Sequence, residues 1–317
     1  MKKKIFLLGF NNKQIKIIKK KFKTIFFIYN ENIFFKEIYN CEAVISITRK
    51  KIDNYLFKID FKKKHKIKWV HLPGAGIDRY SLIKSMKKTV FTNGKIIQGV
   101  EVADHAMALL LSITRNINFV NKFGRNKIFS YRPIELRGKK ALILGYGGVG
   151  RCVAERAFGF GIKLKVVNYD YSPYSNFIDK FYLSEELNKA VKDIDILFIT
   201  SPLKEDTARI INENIIKKLN KNSIIINVSR GGILCTRSLV KYIKNKHLMG
   251  AGLDVTDPEP LKKNHQLNKL KNVIITPHIA GISDNLSDRT FKLILSNLRR
   301  FSKNKKLINQ IDIDSDL

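Results

Sequence analysis

The sequence predicts an α/β protein built on doubly wound parallel sheets, and three observations carry that prediction. Short apolar runs alternate with helical patterns along the chain, the mark of parallel strands joined by crossover helices. One run, Lys140 to Leu144, leads into Gly145-Tyr-Gly-Gly-Val-Gly150 at G-x-G-x-x-G spacing and then into a helix start. A second apolar run, Lys163 to Asp170, ends on an acid about twenty residues further on.

The elements follow in order. The expected strands of the first third are Lys4–Gly9, Ile25–Tyr29, Ala43–Ile47, Ile67–His71 and Thr89–Thr92, with room between them for helices such as Lys13–Lys23. Met1-Lys-Lys-Lys before Ile5–Phe10 mimics a leader peptide, but the apolar run is short and Asn11-Asn-Lys follows, so a first strand is the better reading. Ser46 to Lys50 reads as a strand-end loop. A long helix is expected from about Val100 to Val120, with Ala103, Ala106, Met107, Leu110, Leu111 and Thr114 on one face. Gly124 to Gly138 reads as a polar loop. Six parallel strands then follow: Ala141–Leu144, Leu164–Tyr169, Ile194–Thr200, Ser223–Asn227, Gly250–Asp254 and Val273–Thr276. Helices fit at Val149–Phe160, Glu213–Leu219 and Arg237–Asn245, and a last one at Asp284–Phe301.

A chain of 317 residues with 44% hydrophobic content can bury substantial cores and suggests about two domains. Its formal charge of +33 raises the question of nucleic acid or an anionic membrane as partner. The abundance of Lys, Ile, Asn and Phe together suits an A/T-rich coding sequence, and no nucleic-acid module is recognisable, so no specific nucleic-acid partner is expected. Lys62-Lys-Lys-His-Lys-Ile-Lys68, the sharpest cluster, reads as a solvated loop ahead of a strand. No apolar stretch is long enough to span a membrane, and no membrane partner is expected. Cys41, Cys152 and Cys235 form no C-x-x-C pair and suggest reduced thiols in a cytoplasmic protein. Cys152 is expected in the first turn of the glycine-turn helix, where a thiol pKa can fall, although a packed side chain is the preferred role. No metal site is expected.

The glycine spacing has a physical reading. Gly145 permits the turn, Gly147 lets backbone approach a pyrophosphate, and Gly150 lets helix and strand pack closely. Asp170 is placed to accept hydrogen bonds from a ribose, which favours NAD over NADP. A structural glycine turn is the alternative, but the order strand, turn, helix, strand, acid favours a nucleotide. Three further segments lie just after strands, where ligands bind in such sheets. Asn227-Val-Ser-Arg-Gly-Gly232 offers Arg230, whose fork can grip a carboxylate. Asp254-Val-Thr-Asp-Pro-Glu-Pro260 offers Glu259 on a loop stiffened by two prolines. Thr276-Pro-His-Ile-Ala-Gly281 offers His278. Each alone is as easily structural. Together they meet the needs of keto-acid reduction: a cation for the substrate carboxylate, a proton for its oxygen, and a carboxylate that favours the proton-donating imidazolium.

The chain resembles the D-isomer-specific 2-hydroxyacid dehydrogenases. The resemblance runs from about Trp69 to Gly281, through Gly74-Ala-Gly-Ile-Asp78, Ala103-Asp-His-Ala-Met-Ala108, the glycine turn, Thr200-Ser-Pro-Leu203 with Thr207, and the three strand-end segments. It implies Arg230 as the group orienting substrate and polarising its carbonyl, His278 as general acid/base, and Glu259 as its partner. It implies that Gly148, Val149, Asp170, Ser201, Thr207, Val228, Ser229, Asp254 and Gly281 line an NAD cofactor beside Gly145, Gly147 and Gly150. Backbone N–H groups of Ala75 and Gly76 would bind the substrate carboxylate with Arg230. The implied architecture is a Rossmann nucleotide domain, 101–284 with its leading linker helix, inserted in a flavodoxin-like substrate domain of 1–100 and 285–317. A homodimer is also implied.

Asp104 stands where the family usually has Glu, and Thr200 where it often has His. The expected activity is NADH-dependent conversion of a small 2-oxo acid, glyoxylate or hydroxypyruvate first, to a D-2-hydroxy acid. Arg49 and Arg79 offer an alternative, a phosphorylated substrate and a 3-phosphoglycerate dehydrogenase-like activity. An NAD-sensing binding protein of the same fold is the rival from another class.

Overall fold

The computed structural model describes residues 2–77, 80, 83, 86, 88–117, 120, 133–171 and 175–312. The chain forms two compact units, one of residues 1–97 and 283–317 and the other of residues 98–282.

The first unit holds five parallel strands: β1 (Lys4–Leu8), β2 (Phe26–Ile28), β3 (Ala43–Ser46), β4 (Trp69–His71) and β5 (Val90–Thr92). Their order is β2-β1-β3-β4-β5, the flavodoxin-like winding. Strands buried on both faces read as near-continuous apolar runs, as Ile5-Phe-Leu-Leu8 and Ala43-Val-Ile45 do. Helix α1 (Asn12–Lys21) starts at a capping box of Asn11 and Gln14 and buries Ile15 and Ile18. Helix α2 (Arg49–Leu56) begins where a longer loop was expected: only Ile47 and Thr48 separate it from β3. The lysines at 62, 63, 64, 66 and 68 are exposed, ahead of β4. The last helix of the unit, Leu286–Ser302, buries Phe291, Ile294 and Leu298 against Ile5, Leu7, Ile18 and Trp69, so the C-terminal segment completes the core begun by the N-terminal strand.

The second unit opens with α3 (Gly99–Thr114), whose Val102, Ala103, Ala106, Met107, Leu110 and Ile113 are buried. The helix ends six residues before the expected Val120. Asn116 takes a φ of 56°, which breaks the helix, and the Thr114 hydroxyl bonds back to the Leu110 carbonyl at 3.0 Å. Much of the expected Gly124–Gly138 loop lies outside the described residues. Seven parallel strands follow: β6 (Lys140–Leu144), β7 (Lys163–Asn168), β8 (Lys180–Leu183), β9 (Ile196–Ile199), β10 (Ser223–Asn227), β11 (Leu248–Leu253) and β12 (Val273–Ile275). Their order is β12-β11-β10-β9-β6-β7-β8, the dinucleotide-binding winding with its reversal between β6 and β9. Sequence reasoning expected six strands and missed β8. It is a four-residue edge strand, Lys180-Phe-Tyr-Leu183, with a single buried side chain, Tyr182, so no apolar run marks it. One helix of this unit beside α3 matters to the site, α4 (Gly148–Gly159). No described helix is long and apolar enough to cross a membrane.

Candidate active site

The glycine turn joins β6 to α4 at the reversal point of the seven-stranded sheet. Gly145 has a φ of +93°, and a Cβ there would lie 2.5 Å from the Ser201 Cα, so two barriers exclude any other residue. A Cβ at Gly150 would lie 2.1 Å from the Gly145 carbonyl oxygen, so helix and turn close only on glycine. Gly147 differs. Its backbone is extended, and a Cβ there would meet no protein atom within 4 Å. Nothing in the protein requires its missing side chain, which leaves room at the N-terminus of α4 where no side chain caps the first turn. The Ser201 hydroxyl, two residues past β9, is buried with no hydrogen-bond partner among the described residues. An open helix N-terminus, a side-chain-free approach and an unpartnered buried hydroxyl fit a dinucleotide pyrophosphate.

Neighbouring side chains fix this turn. Thr200, at a position often held by His in the family it resembles, places its hydroxyl 2.6 Å from the Gly145 carbonyl oxygen and 3.1 Å from that of Leu144, tying β9 to the turn. Asn168 accepts the Tyr146 N–H at 3.0 Å and donates to the Asp170 carboxylate at 2.8 Å. Sequence reasoning passed over Asn168; its signal was an amide at a strand end two residues before the expected acid. Asp170 itself lies two residues beyond β7 rather than closing it, and is exposed. Thr207 closes its own turn, donating to the Pro202 carbonyl at 2.8 Å and accepting the Lys204 N–H at 2.7 Å. Cys152 is the fifth residue of α4, one turn past the expected place. Burial pushes its thiol pKa up, so it is a packed side chain. Asp104 pairs with Arg156 of α4 at 2.5 Å.

The strand-end loops of this unit place Arg230 after β10 and bring Glu259 and His278 into contact after β11 and β12. After β10, the buried Asn227 accepts the Ser229 N–H at 3.1 Å and donates to the Arg230 carbonyl at 2.9 Å, clamping the turn that presents Arg230. Val228 is buried in the same turn, and the Ser229 hydroxyl donates to the Ser201 carbonyl. The Arg230 guanidinium donates to the Ser229 carbonyl at 2.8 Å. After β11, the 257–258 and 259–260 peptide bonds to proline are cis, and Glu259 Oε1 lies 2.6 Å from His278 Nδ1.

His278 sits on a strained backbone, with a φ of 55°. Asp254, only 2% exposed, holds it there. The Asp254 carbonyl accepts the His278 N–H at 2.9 Å, and its carboxylate accepts the N–H groups of Ile279 and Ala280 at 3.0 and 2.9 Å. Gly281 closes the loop, its carbonyl accepting from Gln98 at 3.3 Å. Val149, in the first turn of α4, packs against the core beside α3. Ala75 and Gly76 lie in the first unit, in the loop after β4, where Asn93 donates to the Ala75 carbonyl at 2.9 Å. Arg49 reaches the same loop: a Cβ on Gly74 would lie 2.5 Å from its Nη2. Arg79 and Asp78 lie outside the described residues.

An open glycine turn at the reversal of a parallel sheet, with an acid, an imidazole and a guanidinium at neighbouring strand ends, defines a nucleotide-dependent oxidoreductase. Residues 107–280 match the profile of the NAD binding domain of D-isomer specific 2-hydroxyacid dehydrogenases, and the chain belongs to that family. It is a 2-hydroxyacid dehydrogenase-type, NAD(P)-binding oxidoreductase. Among its relatives is the glyoxylate reductase of Thermococcus litoralis, 29% identical over 294 residues that span 89% of this chain and 87% of that one. The glyoxylate reductase of Pyrococcus horikoshii is 29% identical over 289 residues, 86% and 83% of the two chains. Among solved structures, apo D-mandelate dehydrogenase from Rhodotorula graminis superposes with a TM-score of 0.84 at 21% identity over 98% of both chains. A family member from Xanthobacter autotrophicus in complex with NADPH has a TM-score of 0.79 at 19% identity over 99% of both chains. These two likenesses show the fold.

Proposed function

We propose that the protein reduces a small 2-oxo acid to a D-2-hydroxy acid with NADH, glyoxylate or hydroxypyruvate being the first substrates to try. The observation that carries this reading is the His278–Glu259 contact of 2.6 Å on a backbone locked by buried Asp254. The nicotinamide would supply hydride to the carbonyl carbon. Arg230 pairs with the substrate carboxylate and polarises the carbonyl, lowering the cost of charge developing on its oxygen. His278 delivers the proton to that oxygen from its Nε2, because Nδ1 faces Glu259. Glu259 holds the ring's orientation through its contact with Nδ1. Gly145, Gly147, Gly148, Val149 and Gly150 would cradle the pyrophosphate, with Ser201, Thr207, Val228, Ser229, Asp254 and Gly281 along the rest of the cofactor. Asp170 supports NAD over NADP, since a carboxylate accepts from a free ribose hydroxyl and repels a phosphate. Residues 1–100 with 285–317 serve as the substrate half, presenting the Ala75 and Gly76 N–H groups, and 101–284 as the nucleotide half. A homodimer in the cytoplasm is proposed from the resemblance and from three unpaired cysteines.

Arg49 against Gly74 favours one second reading, a substrate with an additional anionic end such as a phosphate. The test is NADH oxidation followed by absorbance on glyoxylate, hydroxypyruvate, pyruvate, branched 2-oxo acids and phosphohydroxypyruvate, with Arg230→Ala alongside. Turnover confined to the parent protein supports the reading and ranks the substrates. Preference for phosphohydroxypyruvate selects the second reading. NADH binding without turnover on any acid overturns both and points to a sensing protein.

A further inference from the structure

Three groups on three elements converge behind the His278 loop. Thr276, just after β12, donates its hydroxyl to Asp254 Oδ1 at 2.5 Å. His105, on α3, places Nε2 2.8 Å from the same hydroxyl oxygen and 3.5 Å from Asp254 Oδ1. The Thr276 proton is committed to the carboxylate, so the Thr276 oxygen can only accept from His105, and Nε2 therefore carries a proton. Asp254 in turn receives the N–H groups of Ile279 and Ala280, the two residues after His278. One chain of hydrogen bonds thus runs from the helix to the loop: His105 to Thr276, Thr276 to Asp254, and Asp254 to the backbone that forces His278 to a φ of 55°. A non-glycine residue persists in that region only where its surroundings over-determine it. The helix end of the chain is anchored as well, since neighbouring Asp104 pairs with Arg156 of α4.

We propose that His105 is a positioning residue for the reaction, acting through Thr276 and Asp254 to hold the His278 ring on Glu259. Its Nε2 is engaged with Thr276 rather than with the His278 ring. Its contribution is rigidity: a proton donor that moves within its loop transfers its proton less often from the productive geometry. The inference rests on the reading of His278 as proton donor, and its test separates the two.

His105→Leu removes the donor, His105→Gln restores an N–H at similar reach, and Thr276→Val cuts the next link. On the best oxo acid, His105→Leu and Thr276→Val are each expected to lower kcat about tenfold with KM little changed, as for loss of one partly buried hydrogen bond that orients a reacting group. His105→Gln recovers most of the rate. The double variant His105→Leu/Thr276→Val is no slower than either single one, because both cut one chain. The second readout is the downfield Nδ1–H resonance of the His278–Glu259 pair in the nucleotide-free protein. It stays sharp in the parent and in His105→Gln, and broadens in His105→Leu and Thr276→Val. A parental rate and resonance in His105→Leu, a His105→Gln protein as slow as His105→Leu, or costs that add in the double variant overturn the proposal. Should His105→Leu not fold, Thr276→Val, which exchanges only a hydroxyl for a methyl group, decides the same question. If the parent protein reduces no oxo acid, the proposed reaction fails, and the resonance alone decides whether His105 holds His278.

Discussion

Each of the two sheets reverses its strand order once, and the two reversal points are built differently. In the five-stranded sheet it lies between β1 and β3. There Gly9, with a φ of +73°, is hemmed in: a Cβ would lie 3.0 Å from the Thr48 hydroxyl and 3.2 Å from Lys51 Cγ. In the seven-stranded sheet it lies between β6 and β9, and a Cβ on Gly147 would meet nothing within 4 Å. The protein's own side chains stand against the turn at Gly9, whereas the second turn, closed at Gly145 by Ser201, is open at Gly147. Parallel winding supplies a crevice in both cases; local residue choice decides which becomes a site.

The largest test of this asymmetry is on the chemistry beside the open crevice. Arg230→Ala is expected to lower kcat/KM roughly a hundred- to a thousandfold, since the guanidinium is assigned to both substrate carboxylate and developing oxyanion. NADH affinity, measured by fluorescence titration, should change little. Near-parental turnover would remove Arg230 from the mechanism.

The next effect belongs to the first unit and distinguishes its interior from that of the second. His71, at the end of β4, is fully buried, and burial alone pushes its pKa down to about 3. Trp69 donates to the Thr92 hydroxyl at 2.8 Å, and that hydroxyl lies 2.9 Å from His71 Nδ1. His71 Nε2 is buried with no hydrogen-bond partner among the described residues, so nothing there offsets the cost of charging the ring. A folded pKa below the unfolded value of about 6.5 means that stability is fully present above pH 6.5 and lost as pH falls towards 3. By pH 5 this group alone costs about 2 kcal/mol. Urea midpoints at pH 7 and pH 5 should show that loss in the parent and a much smaller one in His71→Gln. Equal losses in both would assign the acid sensitivity elsewhere.

How legible all this was in the sequence depended on the length over which each signal repeats. Long apolar runs such as Ile143-Leu144 after Ala141 and Ile224-Ile-Ile226 marked central strands, and the glycine spacing marked the turn, because local sterics fix both. The segments bearing Arg230, Glu259 and His278 were found by their places after strands, and the structure does bring Glu259 and His278 into contact. What escaped was set by tertiary partners. Strand β8 exists because β7 offers it an edge. Helix α3 stops at Thr114 although its apolar pattern continues, since Asn116 turns the backbone. The work of Asn168, Thr276 and His105 consists of single hydrogen bonds between distant segments, which leave no periodic trace.

A smaller effect tests the open crevice directly. Gly147→Val places a branched side chain where the backbone is already extended and no protein atom stands. Folding stability should stay within about 0.5 kcal/mol of the parent, as for a surface substitution. The NADH dissociation constant should rise more than about tenfold, because the side chain occupies the path of the pyrophosphate. A stable variant with unchanged NADH affinity would show that the cofactor does not pass over Gly147.

The smallest effect is the mirror of that one. Gly9→Ala adds a Cβ at a φ of +73°, where an L side chain is disfavoured, and crowds it against Thr48 and Lys51. The Lys51 contact is relieved by rotating a flexible side chain, so most of the cost is in the backbone, about 1–2 kcal/mol. That cost should appear as a lower urea midpoint, with NADH affinity unchanged, since the residue belongs to the crowded turn and to the other unit. The two glycines would then separate cleanly, one needed for the fold and the other for the ligand. A Gly9→Ala protein with parental stability but weakened NADH binding would invert the contrast and make the five-stranded sheet the nucleotide site.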